Sequence, residues 1–350
     1  MRKLVPVAAL TATLISARSG RANCDPPSHL STCIDVDTAW PHAGPRVFGT
    51  IGGTDTTRSG LIGFGLVTTY VVRPLVLSVP SPDPQGARVP AVDRLWDSTF
   101  LWSFGITDRF DASLALPVTV YRSGTGVSSL TQQATSGLSR TALRDARVGA
   151  AFALVPRSRT YPGDAFASVA RFELAIPTGD ETSYAGDRSF VVIPSVAADF
   201  REGIFFAAAE LGARLRKTSD LLGTRVGSQL TFALGVGLNV LEKDELSFQL
   251  EAVTLPTLVT QDELAFVSST GERVPRGTRP MLAPTEWQAS VRSAPVFSGD
   301  AWVSFAGGGS LGLTGESSAT APSYRFTLSL AYAPLGRNAA GGSEAGAVPR

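Results

Sequence analysis

A serine nucleophile is the first chemistry the chain offers, in Gly308-Gly-Ser-Leu-Gly312, which fits the G-x-S-x-G pattern of a nucleophile elbow. An elbow needs a strand-to-helix turn, and the serine needs a base within hydrogen-bond reach. Both histidines, His29 and His42, lie before residue 43, and the glycines around Ser310 read as a strand end. Cys24, His29, Cys33 and His42 bring metal-type side chains into one short stretch. Their spacing matches no zinc pattern, in which paired ligands stand about two to five residues apart. Asp180-Glu181 and Asp244-Glu245 fall in turns, where paired carboxylates are solvated. Gly235-x-Gly237 lacks the following helix that makes a phosphate cradle. The chain is therefore read as no enzyme, with no metal and no cofactor.

What remains is a set of charged and polar side chains at alternate positions of apolar stretches. They are Arg147, Arg171, Glu173, Glu210, Arg214, Arg216, Gln249, Glu251, Glu286, Gln288, Arg292 and Arg325. Successive side chains on a strand point to opposite faces, so this pattern puts the charges on one face and the apolar neighbours on the other. If the sheet closes on itself, the polar face lines a lumen. These residues then form a ladder of cross-strand ion pairs around a watery or partly filled interior. They can also form a constriction that sorts solutes by charge. Both signs occur, so no preference for anions or cations follows.

The elements that must hold these residues are long strands. From Gln229 to Val240, Leu230, Phe232, Leu234, Val236, Leu238 and Val240 share one face, while Gln229, Thr231, Ala233, Gly235, Gly237 and Asn239 share the other. The same template predicts about twelve strands between residues 60 and 333, with connections that alternate long and short. That alternation is the mark of an outer-membrane barrel, with short periplasmic turns and long outer loops. Composition agrees. Of 350 residues 17% are charged, against about 25% in soluble domains, and 43% are hydrophobic. After residue 22 no apolar run reaches the roughly 18 residues of a spanning helix. A net charge of +1 removes the electrostatic case for nucleic acid. The expected fold class is all-β, a transmembrane antiparallel up-and-down β-barrel of about twelve strands, ten to fourteen being allowed. A soluble sandwich would show similar alternation, yet seldom strings together a dozen long strands with so much Gly, Ala and Ser on the polar face. Trp96, Tyr121, Phe200, Trp287 and Tyr332 suit interfacial girdles at the strand ends.

The ends of the chain read differently. Residues 1–22 form a signal peptide, with Arg2 and Lys3 ahead of an apolar core and Gly20-Arg-Ala22 at the cleavage site. Asn23 before Cys24 departs from a lipid-attachment box. Export favours a Cys24–Cys33 disulfide in residues 23–59, expected as an N-terminal segment on the periplasmic side. The barrel is assigned to residues 60–335 and a flexible tail to residues 336–350.

Two stretches, Gly105-Ile-Thr-Asp-Arg-Phe-Asp-Ala-Ser-Leu-Ala-Leu-Pro-Val118 and Ile176-Pro-Thr-Gly-Asp180, resemble bacterial outer-membrane transporter-like barrels. A closer resemblance is to the N-terminal barrel of OmpA-family proteins of myxobacterial type. It is carried by Trp40-Pro-His-Ala-Gly44, Gly63-Phe-Gly-Leu-Val-Thr-Thr-Tyr70, Ser81-Pro-Asp-Pro84 and Arg225-Val-Gly-Ser-Gln-Leu230. Tyr324-Arg-Phe-Thr-Leu328 and Ala331-Tyr-Ala-Pro-Leu-Gly336 complete it. The calcium-type repeats and peptidoglycan-binding domain of that family do not follow here, so the resemblance implies the barrel and not the anchoring role. The expected function is passive passage or uptake of small solutes. The alternative is a structural barrel, plugged by its own side chains and by residues 23–59, whose loops form an interaction surface. Outer-membrane lipid and the barrel assembly machinery are the expected partners. The machinery is expected to read the alternation of Tyr324, Phe326, Leu328, Leu330 and Tyr332.

Overall fold

The computed structural model describes residues 31–79, 87–126, 138–157, 165–187, 189–221, 224–241, 246–267, 273–279, 282–293, 301–312 and 321–334. The expected signal peptide, Cys24, His29, Asp244-Glu245 and the tail lie outside these residues.

Twelve strands run up and down. They are β1 (Ile62–Val79), β2 (Ala87–Thr107), β3 (Phe110–Ser123), β4 (Ala146–Val155), β5 (Phe166–Ile176) and β6 (Val191–Glu202). The second half holds β7 (Phe205–Arg214), β8 (Gln229–Asn239), β9 (Leu246–Thr254), β10 (Thr285–Ser293), β11 (Ala301–Ser310) and β12 (Tyr324–Tyr332). Each pairs antiparallel with its neighbours, and β1 pairs with β12 from Phe64↔Tyr332 to Val72↔Tyr324, so the ring closes. The fold is the closed twelve-stranded barrel the alternation predicts. Tight connections such as Thr107–Phe110 and Glu202–Phe205 lie at one end with the start of β1 and the end of β12; the long connections lie at the other.

Period-two alternation fixes which face each residue takes. On β8, Phe232, Leu234, Val236 and Leu238 turn outward, with Leu234 67% exposed, while Gln229, Ala233, Gly235 and Gly237 face in. On β12, Tyr324, Phe326, Leu328, Leu330 and Tyr332 face out and Arg325, Thr327 and Ser329 face in. An apolar belt this large on the surface needs an apolar solvent. Trp96, Tyr121 and Trp287 border it at the long-loop end, and Phe200 and Tyr332 at the tight-turn end. Nine residues of β12 span about 27 Å along the strand, or about 20 Å after barrel tilt, close to the apolar height of an outer-membrane barrel. No helix among the described residues is long and apolar enough to cross a membrane.

Two details depart from expectation. The alternation predicts strands over residues 60–73 and 94–106 with a long loop from Pro74 to Asp93, yet β1 and β2 continue past Arg73 into that loop, with the register shifting between Val72 and Val76. Arg73 has φ of 51° and precedes Pro74, so the alternation changes phase there. The continuation persists because Leu75, Leu77, Ala91 and Val92 pack on Ile34, Val36 and Tyr184. The second departure is larger. Residues 31–59, expected on the periplasmic side, run through the inside of the ring. The inward wall offers unpaired charges that only polar partners can satisfy, and this segment supplies them.

Candidate functional site

The interior is built by the segment and the wall together. At the long-loop end the Ser31 amide donates to the Asp220 carbonyl at 2.9 Å, and the Ser219 hydroxyl donates to the Cys33 carbonyl at 2.9 Å. Cys33 is fully buried there. Next comes a charge cluster centred on Arg144, just ahead of β4. Its Nη1 donates to Asp37 at 3.0 Å and to Asp97 at 2.9 Å, and its Nη2 donates to Asp35 at 2.8 Å. Arg325 of β12 donates to Asp37 at 2.7 Å and to Glu286 at 2.8 Å, and Glu286 also accepts from the Thr38 hydroxyl.

Trp40 follows, with the guanidiniums of Arg147 and Arg214 at 5.3 and 4.4 Å from its ring centre. Arg147 donates to the Pro41 carbonyl at 2.8 Å and pairs with Glu173 at 3.4 Å. The chain then descends to Arg46, which stacks with Arg292 on Trp302. It doubles back so closely that a Cβ on Gly53 would lie 1.7 Å from the Pro45 carbonyl oxygen. On this return Gly49 and Thr50 give backbone N–H groups to Glu251 at 3.0 and 2.9 Å, and Gly52 gives one to Glu210 at 2.7 Å. Phe48 and Ile51 pack on Phe206 and Ala233, where Gly235 leaves room for the Phe48 ring. Finally Thr57 donates to Asp111 at 2.8 Å and to Ser103 at 2.7 Å, and Ser59 bridges to Gly105 at the tight-turn end.

His42 stands between two wall carboxylates, its Nδ1 2.6 Å from Glu173 and its Nε2 3.2 Å from Glu210. Only the imidazolium can donate on both sides. Burial pulls this histidine down, but Glu210 and Glu173 outweigh it and hold its pKa up at about 9, against an ordinary 6.5. A raised value means the folded protein favours the cation. The stabilisation is therefore full below pH 6.5 and is lost as pH rises through 9. The expected outcome is a denaturation midpoint in detergent that falls between those pH values, and a flatter profile for His42→Gln. Identical slopes in the two proteins would remove His42 from this account.

All twelve residues of the charged-face expectation lie in this interior or at its rim, Gln288 being buried beside Gly49. Arg147, Glu173, Glu210, Arg214, Glu251, Glu286 and Arg325 converge on the segment. Arg171 is buried against Gly52. Gln249 accepts from Ser290 at 2.9 Å, within the wall. Arg216 lies at the long-loop rim, paired with Asp187 at 2.9 Å, and Arg292 lies near the opposite end on Trp302. Within this set Arg147–Glu173 joins neighbouring strands, while Arg325 on β12 reaches Glu286 on β10 across β11; the segment takes most of the other partners. Sequence reasoning missed Asp35, Asp37, Asp97, Asp111 and Arg144. Asp97 and Asp111 occupy inward positions of β2 and β3, and the phase rule applied to those strands finds them. Asp35, Asp37 and Arg144 lie outside barrel strands and carry no periodic signal. Ser310 ends β11, and its hydroxyl accepts from the Gly312 amide at 3.2 Å.

The cavities that border the segment among the described residues are small. A cavity of about 30 Å³ lies beside Trp40, and two others along the segment measure about 10 Å³ each. Against solved structures, the chain is similar to the COG4313 outer membrane channel from Pseudomonas putida F1. The TM-score is 0.55 and the identity 14%, over 82% of this chain and 99% of that one. The barrel fold is shared with that channel. The NanC porin (TM-score 0.43, 8% identity, 77% of this chain and 98% of that one) is a more distant likeness. So is the Ralstonia pickettii toluene transporter TbuX (0.39, 9%, 79% and 90%). No family model and no curated protein matches the chain.

Proposed function

We propose that the chain is an outer-membrane barrel admitting small solutes passively through its lumen, with residues 31–59 as the element that blocks or clears the way. The carrying observation is the character of the contact between that segment and the wall. It is dominated by hydrogen bonds and ion pairs, from Asp37–Arg325 to Gly52–Glu210. Each such bond to a charged group has a net worth of about 1.5–3 kcal/mol, well below its strength in isolation, because water can replace the lost partner. Water can thus replace most of what holds the segment, and the apolar contacts of Ile34, Val36, Phe48 and Ile51 with the wall are the part it does not replace. Outer-membrane location follows from the apolar belt on a closed ring, and export by residues 1–22, assembly by the barrel machinery and lipid contact accompany it. In this orientation the tight turns face the periplasm and the segment begins at the outer end, and a Cys24–Cys33 disulfide closes a short loop within the segment itself. Kinship with the OmpA-family barrels rests on the stretches quoted above.

Liposome swelling with the complete chain tests this. Small neutral solutes are expected to enter. Tethering the segment to β9, through Thr50→Cys with Glu251→Cys, is expected to stop entry until the link is reduced. Folded protein that admits no solute in either state would sink the proposal. That result would favour the second reading, a plugged structural barrel with loops as an interaction surface, which the small size of the cavity beside Trp40 supports.

A further inference from the structure

We infer that a halide-sized monovalent anion binds beside Trp40, held by the Arg214 guanidinium and the Ser195 hydroxyl. Four ionisable side chains line the cavity there: His42, Arg147, Glu210 and Arg214. Three of the four are basic. Glu210 is already engaged by His42 at 3.2 Å and by the Gly52 amide at 2.7 Å. Arg147 has Glu173 at 3.4 Å. Arg214 donates to the Thr38 carbonyl at 2.9 Å and faces Trp40, but has no carboxylate partner among the described residues. Burying a guanidinium with no carboxylate in contact is unfavourable, and Asp35 and Asp187 act on this one only at longer range.

Ser195 supplies an independent sign. Its Oγ is buried, has no hydrogen-bond partner and opens on the same cavity, the residue being 7% exposed. The guanidinium from β7 keeps donors beyond the one Thr38 takes, and the hydroxyl from β6 has no partner, so both can serve an acceptor in the cavity. The volume sets the size. About 30 Å³ holds one or two water-sized bodies, which suits chloride or bromide and excludes a larger organic anion. The binding requires a docked segment, since Thr38 and Trp40 form one side of the cavity, and it does not require that the barrel pass solutes.

Thermal unfolding of the complete chain in detergent provides the test, with sodium gluconate replaced by sodium chloride or bromide at constant ionic strength. A saturable rise in Tm is expected with either halide and none with gluconate. Arg214→Gln should weaken the halide midpoint by roughly tenfold or more, the loss of one charged hydrogen bond. Ser195→Ala leaves every charge in place and should weaken it by about fivefold. It decides the matter if the arginine variant does not fold. Crystals soaked in bromide should show an anomalous peak between Arg214 and Ser195. Equal Tm in all three salts, or a wild-type halide response in Ser195→Ala, would overturn the inference.

Discussion

A barrel lacking residues 31–59 conducts continuously in planar bilayers, where the complete chain shows only brief openings. This is the largest functional change we expect from any single alteration. Twelve strands spaced about 4.8 Å apart and tilted near 40° make a ring with a backbone radius of about 12 Å. Inward side chains reduce that width, yet an aqueous path on the order of 10 Å across is left once the segment is gone. The closed ring makes every pair of its ladder without help from the segment, including the β1–β12 seam. The carboxylates that face the segment, Glu251 and Glu210 among them, would be met by water instead. The measurement is single-channel recording, with heat-modifiable gel mobility to establish that the barrel has formed. A folded but silent deletion variant would show that the wall itself closes the lumen.

Arg144→Met should cost about 3–5 kcal/mol of stability, the usual loss when one member of a buried ionic group is removed. The geometry explains why this residue outranks the other lumen charges. One guanidinium holds Asp35, Asp37 and Asp97, all buried, and its removal leaves three carboxylates facing one another. Arg325 still reaches Asp37, so the segment keeps one tie to the wall there. Denaturant midpoints in detergent measure the loss. Adding Asp35→Asn and Asp37→Asn to Arg144→Met should recover a large part of it, because neutral amides no longer repel. A single variant within about 0.5 kcal/mol of the natural protein would mean that water already screens the cluster.

The barrel was legible because its code is local and repetitive. From Gln229 to Asn239 each residue reports its own face by its polarity, and an exposed apolar belt on one side makes the rule strict. Where the phase shifts, at Arg73 and Pro74, the sequence reading ended a strand that the protein continues. The interior was legible in part. Charges inside strands, such as Glu210 and Arg325, stand out against their neighbours. The location of residues 31–59 was not legible, because the contacts that hold it to the wall join positions far apart in the chain. Asp37 meets Arg144 and Arg325, and His42 meets Glu173 and Glu210. No spacing within the segment encodes such partners. A stretch of Asp, Thr, His and Gly reads the same whether water or a lumen surrounds it.

The course of residues 31–59 also constrains the order of assembly. The segment starts among the long loops and reaches the opposite rim before β1 begins, so the ring encircles its own chain. Once the nine pairs from Phe64↔Tyr332 to Val72↔Tyr324 have formed, the segment can enter only end-on, past Arg144 and Arg325. Closing the seam last, around a segment already laid against the open sheet, avoids that passage. Its hydrogen bonds to β3, β7 and β9 would then hold a curved, half-built sheet in the arc its final joint needs. The lumen segment would be a mould for the barrel before it is an obstacle within it.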